Sequence, residues 1–148
     1  MNFLQDYAIL IMPIIAGLAA QAYKLATDQI KGNFSFKEII TSLGGMPSAH
    51  TAFVVSLSTV VGLLEGLTSP IFAVSIIFMI IVIRDAMGFR IILGDQGKII
   101  NYLKTKLSEE ERSKLPALRD QYGHTIAEVF WGSAAGVGLS LLYYYLVF

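Results

Sequence analysis

Two short segments hold both histidines of this 148-residue chain. One is Gly44-Gly45-Met46-Pro47-Ser48-Ala49-His50-Thr51, and the other is Gly123-His124-Thr125-Ile126-Ala127-Glu128. Glycine lets a backbone approach a ligand closely, and the free N–H groups at a helix start attract anions. Gly45 and Ser48 therefore form a candidate anion cradle, to which Ser48 adds a hydroxyl. His124 and Glu128 stand four residues apart, so on a helix they share a face. There a carboxylate can fix the tautomer of an imidazole and raise its nucleophilicity. Each segment alone also has a plain reading: a turn, an interfacial anchor, a helix-stabilising pair. Together they favour chemistry, because both histidines follow a glycine break and open an apolar segment.

The elements that must position these residues are apolar. Hydrophobic residues make up 55% of the chain and charged residues 15%, against roughly 25% charged in a soluble domain. Mean hydropathy is +0.63. Four runs carry this weight: 8–20, 51–64, 67–83 and 126–148. A membrane-crossing helix needs about 20 mostly apolar residues, and the two short runs extend through Gln21, Lys24, Ser48 and His50 toward that length. Run 67–83 contains no charge at all, which a soluble helical protein would not sustain. The first run is not expected to be a cleaved signal, since residues 1–6 carry Asp6 and no Lys or Arg. With no cysteine, a disulfide framework and thiolate chemistry are excluded. Zero net charge argues against a nucleic-acid partner.

These observations predict an all-α, polytopic membrane bundle of about four spans, folded as a single domain. Gly44-Gly45-Met46-Pro47 breaks the chain before span two, and Glu65-Gly66-Leu67-Thr68-Ser69-Pro70 is a short antiparallel turn. Between Arg84 and Tyr122 lies a long polar region. Within it Ile99, Leu103 and Leu107 share a helical face beside Lys98, Lys104 and Lys106, the pattern of a helix lying on the membrane surface. Ser108 followed by Glu111 reads as a capping box for a second short helix, with Pro116 as its stop. All eleven Lys and Arg fall at Lys24, Lys31, Lys37 or from Arg84 to Arg119. The positive-inside rule then places the 27–47 and 84–123 loops in the cytoplasm, with both termini outside. Both histidine segments lie at the cytoplasmic face, and Tyr143, Tyr144 and Tyr145 join the outer aromatic belt.

Pro47-Ser48-Ala49-His50 resembles the Pro-Ser-(small)-His motif of the type 2 phosphatidic acid phosphatase superfamily, which includes lipid phosphatases, bacterial acid phosphatases and vanadium haloperoxidases. His124 with Glu128 is similar to that superfamily's last motif, a nucleophilic histidine with an acid four residues on. Adding Asp85-Ala86-Met87-Gly88-Phe89-Arg90, the pattern resembles the divergent branch of the superfamily over nearly the whole chain. The resemblance implies hydrolysis of a lipid phosphomonoester; a cytoplasmic site would meet those of phosphatidic acid or phosphatidylglycerol phosphate type, and no cofactor or metal is expected because histidine and basic side chains supply nucleophile and charge. It implies His124 as nucleophile, Glu128 as its orienting acid and His50 as proton donor to the leaving group.

Two departures bear on phosphate binding. The superfamily places an arginine six residues before the nucleophile, where this chain has Leu118, with Arg119 one place off. Arg90 is the expected substitute, and Lys24 the candidate for the superfamily's first, lysine-bearing motif. Asp85 is expected to pair with Arg90 or Lys24 rather than bind a metal, and Arg84 to anchor at the interface. Gly132 and Gly136 form a small-xxx-small pattern, which predicts helix packing and offers a route to a homo-oligomer through span four. Asp95, Gln96 and Asn101 receive no role from the sequence. The rival reading is a non-catalytic membrane scaffold that keeps a decayed phosphatase fold; a vanadate-dependent peroxidase is chemically adjacent.

Overall fold

A computed structural model of the chain describes residues 3–27, 45–116, 118 and 124–148, without the side chains of Phe89 and Arg90. The described residues are helical and contain no strand: α1 (Phe3–Asp6), α2 (Ala8–Ala26), α3 (Ala49–Glu65), α4 (Pro70–Met87), α5 (Phe89–Lys104), α6 (Glu109–Ser113) and α7 (Ile126–Val147). Helix starts are set by local chemistry. Ser69 caps α4 by accepting the Phe72 N–H at 3.2 Å, with Pro70 at the first turn where its missing N–H costs nothing. Gly66, at φ 86°, ends α3 in the left-handed region that glycine tolerates. The capping box expected at Ser108 is formed with Glu111, and α6 ends at Ser113, short of Pro116.

By length and composition α2, α7 and the stretch from Pro70 to Lys104 suffice to cross a membrane. At 17 residues α3 is shorter, about 26 Å long against a hydrocarbon core of ~30 Å. It is also the central element, packed against α2, α4 and α7. Gly17 of α2 lies near Ala49 and Phe53, while Ala8, Met12 and Ala16 cluster with Val60, so α2 and α3 are antiparallel. In contrast, Gly132, Gly136 and Ser140 of α7 meet Ser48, Ala52 and Ser56 of α3 in the same order, so these two helices run parallel. Chain ends meet at one pole: Gln5 Nε2 donates to the Val147 carbonyl at 2.7 Å, and the Tyr143 hydroxyl to the Leu4 carbonyl at 2.6 Å.

The side chains are distributed the reverse of a soluble domain. Ala16, Ala20, Ala52, Ser56, Ser58, Ser75 and Ser140 are buried, whereas Leu10, Leu18, Val74, Ile77, Ile81, Phe130 and Leu142 are exposed. In water such a surface would drive association. In lipid it is the favoured one, since small residues let helices approach and hydroxyls bond across them. Ser56 Oγ and Ser140 Oγ lie 2.8 Å apart, and Ser58 donates to the Ser75 carbonyl at 3.1 Å. A Cβ on Gly132 would stand 2.6 Å from the Ser48 carbonyl oxygen, and one on Gly136 2.7 Å from that of Ala52. The small-residue pattern thus serves contact within the chain, and an oligomer through this helix would have to use another of its faces.

Gly88 separates α4 from α5, where a Cβ would meet the Arg84 carbonyl oxygen at 2.9 Å. Arg90 therefore belongs to the first turn of α5. On α5, Ile92, Leu93, Ile99, Ile100 and Leu103 are exposed while Gly94 and Gly97 are buried, the two-sided character expected of a surface helix.

Candidate active site

Because α3 and α7 run parallel, their N-termini stand side by side at the pole opposite the chain ends. The join is a backbone hydrogen bond, Ser48 N–H to the Glu128 carbonyl, 3.0 Å. Ser48 is the N-cap of α3, fully buried, and its Oγ accepts from Thr51 N–H at 3.3 Å and from the Thr51 hydroxyl at 2.9 Å. Both bonds use Ser48 as acceptor, so its own O–H remains a donor. Gly45, at φ 82°, takes a backbone conformation that favours glycine and precedes the Met46–Pro47 cis peptide. Two helix N-termini in contact concentrate positive potential here.

His124 lies just outside the cap of α7 and is 3% exposed. Two bonds hold it. Its N–H donates to the Ala86 carbonyl at the end of α4, 3.0 Å, and its Nδ1 sits 2.8 Å from Glu128 Oε2. That arrangement leaves Nε2 as the ring nitrogen turned away from the carboxylate. Glu128 Oε2 also accepts the Thr125 N–H at 3.0 Å, while Thr125 Oγ1 accepts the Glu128 N–H at 3.3 Å, a reciprocal capping box. One carboxylate oxygen thus starts the helix and orients the imidazole. The His50 ring centroid is 6.4 Å from that of His124, and His50 is exposed where His124 is buried.

Lys24, near the end of α2, is 2% exposed and lies within electrostatic reach of Glu128. Asp85 is half-buried and adjoins Ala86, the residue that anchors His124. Of the residues named from the sequence, the fold therefore gathers Gly45, Ser48, His50, Asp85, His124, Glu128 and Lys24 at one pole. Arg84 is exposed there. The Arg90 side chain, Gly44, Arg119 and Gly123 lie outside the described residues.

Two contributors to the site, Thr125 and Ala86, were missed from sequence, as was one contact outside it, that of Asn101. Thr125 matches the Ser/Thr-x-x-Glu capping signature, a signal present in the chain but overshadowed by the His124–Glu128 spacing. Ala86 acts only through its carbonyl, which no side-chain pattern reveals. Asn101 binds Leu118 at a separation of 17 residues, with no local motif to mark it.

Fold and site together define a helical membrane protein with a histidine–carboxylate pair and a second histidine at one end of its bundle. The family model described as the Divergent PAP2 family matches residues 5–139, and the chain belongs to that family. Over 150 residues it is 37% identical to YuiD of Bacillus subtilis (strain 168), an uncharacterized membrane protein, covering 90% of this chain and 94% of the relative. No solved structure matches the chain.

Proposed function

We propose that this protein is an integral membrane phosphatase that hydrolyses a lipid phosphomonoester through a phosphohistidine. The observation that carries the reading is the pair of parallel helix starts: they bring a carboxylate-oriented, buried His124 beside an exposed His50, over backbone N–H groups and Ser48. In the proposed reaction His124 Nε2 attacks phosphorus, the bond from phosphorus to the alkoxide breaks, and His50 gives the alkoxide its proton. Glu128 holds the imidazole as charge develops on it. Water then displaces the histidine and releases inorganic phosphate. The equatorial oxygens are held by Ser48, the Gly45 backbone, Lys24 and Arg90, with Asp85 pairing a nearby cation. Preplaced donors of this kind supply the largest share of many enzymes' rate enhancement.

Lys24 and Arg84 stand at the pole of the histidines, and in sequence no Lys or Arg falls before Lys24, from 38 to 83 or after Arg119. By the positive-inside rule the site faces the cytoplasm, where phosphatidic acid or phosphatidylglycerol phosphate would reach it from the inner leaflet. A second reading, a scaffold with a decayed site, draws support from Leu118 standing where the wider superfamily carries arginine. Purified protein presented with short-chain phosphatidic acid and phosphatidylglycerol phosphate separates the two. Phosphate release together with acid-labile, base-stable phosphate on the protein is expected. No release from any lipid phosphate, by protein that remains folded, would favour the scaffold.

A further inference from the structure

Helix α3 is packed on three sides, and its fourth side leads from the site toward lipid. It meets α7 through Thr51, Ala52 and Ser56, α4 through Ser58 and Gly62, and α2 through Ala49, Phe53 and Val60. His50, Phe53 and Leu57 stand at i, i+3 and i+7, one face of the helix. His50 and Phe53 are exposed and Leu57 is half-buried. Phe53 rests against Gly17 of α2, which brings no side chain to cover it, while Ser58, next to Leu57, turns to α4. Among the described residues α2 and α4 have next to no contact with each other, so a groove floored by Phe53 and Leu57 opens between them. The gap between α4 and α7 is different, since Thr51, Val55 and Ser58, which border it, are buried.

The groove begins at the proposed proton donor. In the phosphatase reaction the alkoxide departs roughly in line with the attack, on the side of phosphorus opposite His124. His50, its ring centroid 6.4 Å from that of His124, stands on that side. The rest of the lipid is bonded to this alkoxide and has to continue from His50. Leu57 lies two turns along α3, about 10 Å from His50 and toward the middle of the bilayer, and no charged residue stands between His50 and Glu65. An apolar chain gains no hydrophobic energy by exchanging lipid for leucine, because the tails are equally apolar. What such a groove supplies is position: a chain laid along it presents its phosphate at the histidines with the alkoxide toward His50.

We infer that the groove over Phe53 and Leu57 is a subsite for an acyl chain of the lipid phosphomonoester, entered sideways from the bilayer between α2 and α4. The inference rests on the phosphatase reading and adds to it the place of the lipid body.

The test uses the full chain in detergent micelles. Leu57→Trp fills the groove, and Val74→Trp puts the same bulk on the exposed face of α4. Leu57→Trp should lower kcat/KM on dioctanoyl phosphatidic acid about tenfold more than on p-nitrophenyl phosphate, which has no chain, while Val74→Trp keeps the ratio of the two within about twofold of wild type. Independently of turnover, His124→Ala is irradiated with a phosphatidic acid carrying a diazirine in mid-chain. Labelling is expected within residues 53–57, suppressed by excess phosphatidic acid and not by phosphatidylcholine. An equal loss on both substrates in Leu57→Trp would overturn the inference, as would labelling that is absent there or that phosphatidylcholine suppresses equally. Should Leu57→Trp fail to fold, the labelling alone decides. Should the wild type hydrolyse no lipid phosphate, the phosphatase reading fails, and the labelling again decides the subsite by the same two outcomes.

Discussion

Adding one methyl group at Gly132 tests whether the site is built by the close approach of α3 and α7. The new Cβ would stand 2.6 Å from the Ser48 carbonyl oxygen, 3.2 Å from the Ser48 nitrogen and 3.0 Å from the Thr51 Cβ. Ordinary contact begins near 3.4 Å, so the helices must part by the better part of an ångström. Two of these atoms are backbone and the third is a Cβ fixed to it, so none can swing aside. Overpacking of this kind costs about 1–3 kcal/mol, set against roughly 1 kcal/mol that alanine gains over glycine inside a helix. Gly138→Ala, with nothing within 4 Å of its Cβ, receives the gain without the clash. Thermal unfolding in detergent should therefore rank Gly138→Ala at or above wild type and Gly132→Ala below Gly138→Ala by about 1–3 kcal/mol. Parting the helices also stretches the 3.0 Å bond from Ser48 N–H to the Glu128 carbonyl, so Gly132→Ala should lose activity beyond its loss of folded protein. Equal unfolding temperatures for the two variants would refute the reasoning.

His124→Ala is expected to lose turnover on both p-nitrophenyl phosphate and an alkyl phosphate, and wild-type rates in that variant would remove the proposed mechanism. His50→Ala should keep appreciable activity on p-nitrophenyl phosphate, whose leaving group needs no proton, and lose it on the alkyl phosphate. Glu128→Gln preserves an acceptor for Thr125 N–H and His124 Nδ1 but exchanges a charged hydrogen bond for a neutral one, a difference of about 1–1.5 kcal/mol, so kcat should fall roughly tenfold; abolition or no change would each contradict this role. Single cysteines at Thr68, which spares the Ser69 cap, and at Ser113 should label from opposite sides of the membrane, and labelling from one side would end the four-span topology.

Much of this architecture was written in the order of apolar and polar residues. Runs 8–20, 67–83 and 126–148 became α2, α4 and α7 with ends shifted by a few residues, because hydropathy marks the lipid-facing body of a helix and caps mark its limits. Gly132 and Gly136 were legible as a packing surface, but not their partner, since small residues permit close approach to any helix. The electrostatic link between Lys24 and Glu128 joins distant parts of the chain, and nothing in the spacing of either announces it. Asn101 stayed without a role for a related reason: its partners are backbone groups, identical at every position. The meeting of the two histidines was the inference with the most at stake, and it depended on parity. With four helices alternating in direction, the second and fourth begin on the same side, and their first turns can touch.

The acid at position 128 shows how site and scaffold share one cause. Glu128 is the third residue of α7, the position from which a glutamate reaches back to the N-cap N–H in a capping box. The same Oε2 meets the Thr125 N–H at 3.0 Å and His124 Nδ1 at 2.8 Å, so one oxygen serves the helix start and the imidazole at once. The Glu128 carbonyl meanwhile holds the Ser48 N–H, and its carboxylate attracts Lys24. Orientation of the histidine and registration of α3 against α7 thus converge on one residue. A group committed to so many fixed partners has little freedom to move, and that rigidity is what an orienting carboxylate must supply.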